Sequence, residues 1–228
     1  MAVVFSPSNM GTFKTCPLRF AGQSIYKDIK WQASTAKSRG TLVHNVIEKA
    51  LMRGLDTVSE YPDGTDSVYI KSFVGECRET VANGGEIFVE KEMVITNAMK
   101  PTADWWDKNA LLRAKADVVV IPKYRKSILV GDIKTGKRWD SDDFQLRTEA
   151  LLAHLVFGVP IVEYVYWYVD SGESFGDVID FSRGLDKVQD VIDVMRDMKL
   201  AIRDSNFEAK SNKFCKWCAY YQTPLCKR

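Results

Sequence analysis

No run of apolar residues in this 228-residue sequence approaches the roughly 20 that a membrane-spanning helix needs. The opening "MAVVFSPSNM" has neither the basic start nor the long apolar stretch of a secretory signal, which points to the cytoplasm. Internal repeats and low-complexity tracts are missing, so neither a solenoid nor a linker-joined pair of domains is suggested. A net charge of only +2 excludes a global polycation. There are two histidines and five cysteines. In a reducing compartment so few thiols point to metal binding or catalysis rather than to a disulfide framework.

What is present describes one globular domain spanning residues 1–228: 46% of residues are hydrophobic and 27% charged, enough for a sizeable core. The charge is unevenly spread. Residues 113–138 carry eight Lys/Arg against Asp117 and Asp132, residues 209–228 carry five basic residues and no acid, and residues 170–208 carry ten acids against five bases. A basic strip on a nearly neutral chain fits local phosphate contact, and equally a solvated surface.

Apolar residues at Val43, Val46, Ile47, Ala50 and Leu51 predict an amphipathic helix over 40–53, closed by Gly54. A turn at "YPDG" and a further helix follow before residue 85. Alternation over 86–96 predicts a strand with Ile87, Val89, Lys91, Met93 and Ile95 on one side. Residues 111–121 and 127–134 read as a hairpin around "PKYRK". A helix over 141–157 has Ser141 as its cap and Gly158 and Pro160 as its stop. "IVEYVYWYV" and "FGDVIDF" form a second strand pair, and Leu185 to Ile202 a last long helix. The order gives an α/β fold with a central mixed β-sheet flanked by helices.

If 123–126 form the hairpin loop, Asp117 stands directly opposite Asp132, with side chains roughly 5 Å apart and Lys134 one step along the same face. Opposed carboxylates need a proton, a neighbouring ammonium or a cation between them. Mg²⁺ or Mn²⁺ suits such a pair, and Lys134 could then orient water or offset charge on a phosphate. A salt-bridged strand facing solvent is the alternative. His44, with Glu48 four residues on, could supply an imidazole ligand. Gln145 and Glu149 share a helix face beside the acidic strand, and Glu90 is an additional acid. "ADWWD" offers Trp105 and Trp106 either for base stacking or for packing at a sheet rim.

"FCKWCAYYQTPLC" places Cys215, Cys218 and Cys226 in C-x2-C-x7-C spacing. Cys16 in "TCPLRF" is the candidate fourth ligand, because Cys77 falls inside a predicted helix. Such a site would staple the N- and C-terminal segments together. Four thiolates suit Zn²⁺ or a [4Fe-4S] cluster, and spacing alone does not separate them.

These pieces, in this order, resemble the RecB-like exonucleases of the PD-(D/E)XK nuclease superfamily, including CRISPR-associated and AddAB-type members with an iron-sulfur cluster. The resemblance runs through "CPLRF", "RGTLVHNVIE", "LRAKADVVVI", "GDIKTGK", "QLRTEALLAH" and the cysteine triplet. It implies a restriction-endonuclease-like core and a DNA substrate. His44, Asp117 and Asp132 would be the metal ligands, Lys134 the catalytic lysine and Gln145 the glutamine of a Q-x-x-x-Y helix. Cys16, Cys215, Cys218 and Cys226 would hold a [4Fe-4S] cluster. Glu149 stands where the family usually has tyrosine, and the gap from Cys218 to Cys226 is longer than usual. With no P-loop and no room for a helicase motor, the chain looks like a compact nuclease of phages or mobile elements, acting in DNA recombination, repair or processing. Recombination or CRISPR-related proteins are candidate partners. The competing expectations are a non-catalytic, cluster-stabilised DNA-binding module and a structure-specific endonuclease of the same fold.

Overall fold

The centre of the sheet is a hairpin of β-branched runs: β3 (Ala110–Ile121) and β4 (Ser127–Lys134) pair antiparallel at Val118↔Gly131, Val119↔Val130 and Val120↔Leu129. This is the register expected from a four-residue loop. In the computed structural model, which describes residues 3–29, 35–53, 67–136 and 142–226, β1 (Glu86–Thr96) lies antiparallel on the other side of β3. A two-residue β2 (Pro101–Thr102) sits at its edge. Next to β4, β5 (Ile161–Tyr168) runs parallel, and β6 (Glu173–Asp180) returns antiparallel to it. The order is β2-β1-β3-β4-β5-β6. It is the expected mixed sheet. Its one parallel step requires a crossover, supplied by helix α5 (Phe144–Phe157), which Gly158 ends in a left-handed turn at φ 68°. The expected stop at Gly54, the "YPDG" turn and the cap Ser141 lie outside the described residues.

Helices cover both faces. On one, α5 joins α1 (Pro7–Thr15) and α6 (Gln189–Asp204) over a core that includes Met10, Leu146, Leu152, Tyr164 and Met198. On the other, α3 (Thr35–Arg53) and α4 (Ser67–Ala82) bury Val43, Ile47, Ile70 and Val74 against Val118 and Ile133. Each such fully buried side chain stabilises the fold by about 1.5–3 kcal/mol. The last helix is shorter at its start than its apolar spacing predicts. A 3-10 turn spans Asp186–Val188 and Leu185 is exposed, so the α-helix begins at Gln189.

The strict alternation predicted for β1 does not hold. Ile87 and Val89 pack with the α3–α4 core, whereas Met93 and Ile95, of the same parity, pack with the α5 core. On β3, Val118 and Val120 face α3–α4, yet Leu112, Ala114 and Ala116 face α5. Both strands reverse their pleat at one cross-strand pair, Glu90 and Asp117, where the ladder is interrupted between Val89↔Val118 and Lys91↔Ala116 without a change of register. Glu90 takes φ 52°, a left-handed conformation that costs a non-glycine residue roughly 1 kcal/mol or more.

The N-terminal segment was not legible as structure from its sequence. Phe5 bridges Leu112 of β3 in parallel. Helix α2 (Pro17–Phe20) and a π-helical turn (Ala21–Ile25) follow α1. Against them lies the C-terminal strap: Cys16 and Leu18 pack with Tyr220 and Cys226, the Tyr220 hydroxyl donates to Asp28, and the Lys210 amide donates to Cys16 Sγ at 3.4 Å.

Gly131 adjoins the fork of the hairpin, and a Cβ there would come within 1.7 Å of the Trp167 ring, itself packed at a tilt against Phe73 with centroids 4.0 Å apart. Gly131→Ala is expected to destabilise the protein by about 1–3 kcal/mol through overpacking. Urea denaturation should show a lower midpoint at an unchanged slope.

Candidate active site

β3 and β4 part company immediately beyond Val118↔Gly131, and the candidate residues gather at that fork. The expected face-to-face pairing of Asp117 with Asp132 does not form there. Instead the Ile133 amide donates to Asp117 Oδ2 at 2.7 Å, so a side-chain carboxylate takes the place of a ladder carbonyl. Asp132 and Lys134 do share a face, as their two-residue separation requires. They project toward α5, where Gln145 and Glu149 meet them.

Four side chains form a closed clamp. The Gln145 amide nitrogen donates to Asp132 Oδ1 and, at 3.0 Å, to Glu149 Oε1, while the Gln145 carbonyl oxygen accepts from the Lys134 ammonium at 3.3 Å. Both amide hydrogens and the carbonyl are thereby used. Lys134 also forms an ion pair with Asp132 Oδ2 at 2.6 Å; beyond that contact this buried oxygen has no hydrogen-bond partner, and Glu149 Oε2 has none. Burial pushes the Asp132 carboxyl up to about 6, with Asp117 adding to the rise against the pull of Lys134 and His44. Burial, then the charge of Asp132, lifts Glu149 well above the ordinary glutamate range. Burial works against the Lys134 ammonium, yet Asp132 carries it above the usual lysine value.

The second group comes from the α3 side. His44 Nε2 lies 2.9 Å from the Ile133 carbonyl, which can only accept, so Nε2 carries a proton. Nδ1 faces Asp117 Oδ1 at 3.3 Å. Only a proton or a cation between these two atoms makes that approach favourable, and the hydrogen bond to Asp117 raises the His44 pKa. Glu90 completes a trio with His44 and Asp117 in which one ligand atom from each lies within 4.8 Å of the others. Glu90 also pairs with Lys115, whose ammonium is raised by that contact. The inverted pleat at Glu90 and Asp117 is what turns these two acids toward the imidazole.

Both groups border an open cavity of about 680 Å³ lined by Gly40, Thr41, His44, Asn45, Glu48 and Glu90, with Lys115, Asp132 and Lys134 opposite. Gly40, Thr41, His44, Asn45 and Glu48 recur three and four residues apart, a polar stripe on α3 behind its apolar one. Sequence reasoning found His44 and Glu48 on that stripe but missed Thr41, Asn45 and Lys115, although the helical spacing in "RGTLVHNVIE" carried the signal.

The three cysteines singled out by spacing and the candidate fourth, Cys16, also converge. Cys16, Cys215, Cys218 and Cys226 line one small cavity together with Leu18, Phe214 and Tyr220. The Asn212 amide donates to Cys215 Sγ at 3.2 Å, as Lys210 does to Cys16. Their sulfurs are not drawn into a compact trio; among the described residues His44, Glu90 and Asp117 form such a group. Cys77 is elsewhere, buried in the α3–α4 core, with burial raising its thiol to about 12. Among the described residues no helix is long and apolar enough to cross a membrane.

A model of the PD-(D/E)XK nuclease superfamily matches residues 4–226. No curated protein matches the chain. Among solved structures, a candidate exonuclease from Eubacterium rectale is similar at 12% identity and a TM-score of 0.49, over 96% of this chain and 88% of that one. An alkaline exonuclease from Laribacter hongkongensis is similar at 11% identity and a TM-score of 0.29, over 89% of this chain and 93% of that one.

Because the folded Asp132 carboxyl holds its proton to about 6 against an ordinary 3.8, the native state binds more protons than the unfolded chain between those values. In chelator-treated protein, stability should therefore fall as pH rises through that window. Asp132→Asn should flatten the fall, measured by urea denaturation across the same pH range.

Proposed function

The chain belongs to the PD-(D/E)XK nuclease superfamily, and from that premise we propose that it is a divalent-metal-dependent deoxyribonuclease of the RecB-like kind, hydrolysing phosphodiester bonds as an exonuclease. The observation that carries the reading is the juxtaposition, across one cavity, of the Asp132–Lys134–Gln145–Glu149 clamp and the His44–Glu90–Asp117 trio. Two features of the residues fit a hard cation of the Mg²⁺ or Mn²⁺ type. Asp132 Oδ2 is buried and has no hydrogen-bond donor beyond the Lys134 ammonium beside it, and the Nδ1 atom of His44 confronts a carboxylate oxygen. In this reading Asp117, Asp132 and His44 hold the ion, with Glu90 as an additional ligand. Bound there, it would supply activation of water and neutralisation of phosphate charge.

The chain's own groups do the positioning. Ile133 fixes one oxygen of Asp117 through its amide, leaving the other to face His44. Gln145 fixes Asp132 and Lys134 relative to each other, so the ammonium is presented where negative charge grows on a phosphate oxygen, a contribution typically worth about 10²–10³ in rate. Glu149, whose charged form is disfavoured by burial and by Asp132, anchors the amide. Tyr166, next to Asp132 on β5, offers its ring to Lys134 at 4.9 Å and supplies the aromatic neighbour that position 149 does not.

At the chain's other end we propose that Cys16, Cys215, Cys218 and Cys226 hold a [4Fe-4S] cluster within this one domain. The four thiols share one small cavity with backbone donors to two of them, a donor set that suits Zn²⁺ as well as a cluster. The choice of the cluster rests on the family resemblance, and the group would serve as a structural staple. The setting proposed is the cytoplasm, in phage or mobile-element DNA processing.

Asp132→Ala and Lys134→Ala should each lower cleavage of labelled DNA in Mn²⁺ by at least about 10² while DNA binding persists, as measured by gel shift. Unchanged cleavage in both variants rejects the site. A linear duplex should be degraded and a closed circle spared; cutting of the circle would make the enzyme an endonuclease. Anaerobically purified protein should carry iron and acid-labile sulfide with a broad visible absorbance, all lost together in Cys215→Ser; stoichiometric zinc without iron would refute the cluster.

A further inference from the structure

β3 carries a row of side chains that leads away from the cavity. Asp117, Lys115 and Arg113 alternate with Ala116, Ala114 and Leu112, which are buried in the α5 core, so the first three share the opposite face. Lys115 lines the cavity. Arg113, about 13 Å beyond Asp117 at the strand's rise per residue, ends the row under two indoles. Its guanidinium carbon lies 4.7 Å from the Trp105 ring centroid and 4.9 Å from that of Trp106, and it donates to the Trp105 carbonyl at 3.0 Å. The loop that presents them is tied down by its own polar groups, since Asp104 accepts from the Trp106 amide at 2.9 Å and Asp107 from the Asn109 amide at 2.7 Å. Trp106 is nevertheless 76% exposed. A large indole, braced against a cation and offered to solvent, contributes little to the core that would explain it.

We propose that Trp106, backed by Arg113 and Trp105, is a base-stacking subsite for a single-stranded nucleic-acid end that reaches the cavity along β3. The proposal rests on the reading of the cavity as a nuclease site. Charge selects this ligand from the alternatives. Lys115 is already paired with Glu90, and Glu92 stands across the ladder from it, so this strip has no surplus of positive charge with which to grip a duplex by its phosphates. The open π-face is the remaining means of attachment. It accepts any base but only one that is unstacked, as at a single strand or a frayed terminus. The span from Arg113 to Asp117 would separate the held base from the fork by a few nucleotides.

The test is fluorescence anisotropy with labelled single-stranded oligonucleotides and a blunt duplex, in EDTA so that nothing is cut. Trp106→Ala should weaken single-strand binding about tenfold and leave the blunt duplex unaffected, while Trp106→Phe should recover most of the loss. The single-strand affinity should also depend weakly on salt, because stacking rather than counterion release supplies it. Equal single-strand affinity for wild type and Trp106→Ala overturns the subsite, as does an equal loss for the duplex. Cleavage by wild type but not by Asp132→Ala keeps the nuclease reading intact whichever way Trp106 behaves. A wild-type protein that neither binds nor cuts DNA removes both.

Discussion

Asp132, Asp117 and Glu149 bring three carboxyl groups toward a fork where the first and last are buried, and their mutual repulsion constrains everything arranged around it. Two bare charges 4 Å apart at an effective dielectric of 20 repel by about 4 kcal/mol, several times the net worth of an ordinary hydrogen bond. The molecule meets this in three ways at once. Burial and the charge of Asp132 disfavour the charged form of Glu149, Lys134 sets its ammonium beside Asp132, and the Gln145 amide divides its two hydrogens between the acids. What is left over is Asp132 Oδ2, which has no hydrogen bond beyond the ammonium beside it, the unpartnered Oε2 of Glu149, and one imidazole nitrogen facing Asp117. That remainder is the chemical argument for a cation.

The backbone makes room for this arrangement. β3 and β4 stop pairing just before the acids, and the Asp117 side chain satisfies the Ile133 amide that the ladder abandons. On the other side, β1 and β3 invert their pleat at Glu90 and Asp117. A continuous ladder through this level would have kept the strands stiffer and stable. It would also have turned Glu90 toward a core. The strained φ of Glu90 is thus found where a side chain is required on the unexpected side, in keeping with strain that collects at sites rather than in frameworks.

Local chemistry that repeats in the sequence was legible there. A four-residue loop fixed the hairpin register, a helical stripe located His44, and the four-residue step from Gln145 to Glu149 put both on one face of α5. The C-x2-C-x7-C spacing picked out cysteines that do share a cavity with Cys16. What escaped depended on partners distant along the chain. Nothing local to "FVEKEM" signals that Glu90 adopts a left-handed turn, since no glycine marks it, and so the alternation of β1 was read straight through the inversion. Lys115 was counted as one charge in a basic strip, when its partner Glu90 neutralises it. Phe5 was unreadable because its only strand-like contact is with Leu112.

The joining of residue 16 to residues 210–226 also has a consequence for how the molecule is assembled. Helices α1 and α2 put Met10, Phe13 and Phe20 into the main core, but the seat beside Cys16 and Leu18 is closed by a strap about 194 residues downstream. So distant a closure must wait for residues 210–226 to be made, and contacts of such sequence separation are slow to form. Until then the nascent chain carries an open seam on its first-made helices. In the finished protein the seam is held by the buried group of Cys16, Leu18, Tyr220 and Cys226 and by the Tyr220–Asp28 hydrogen bond.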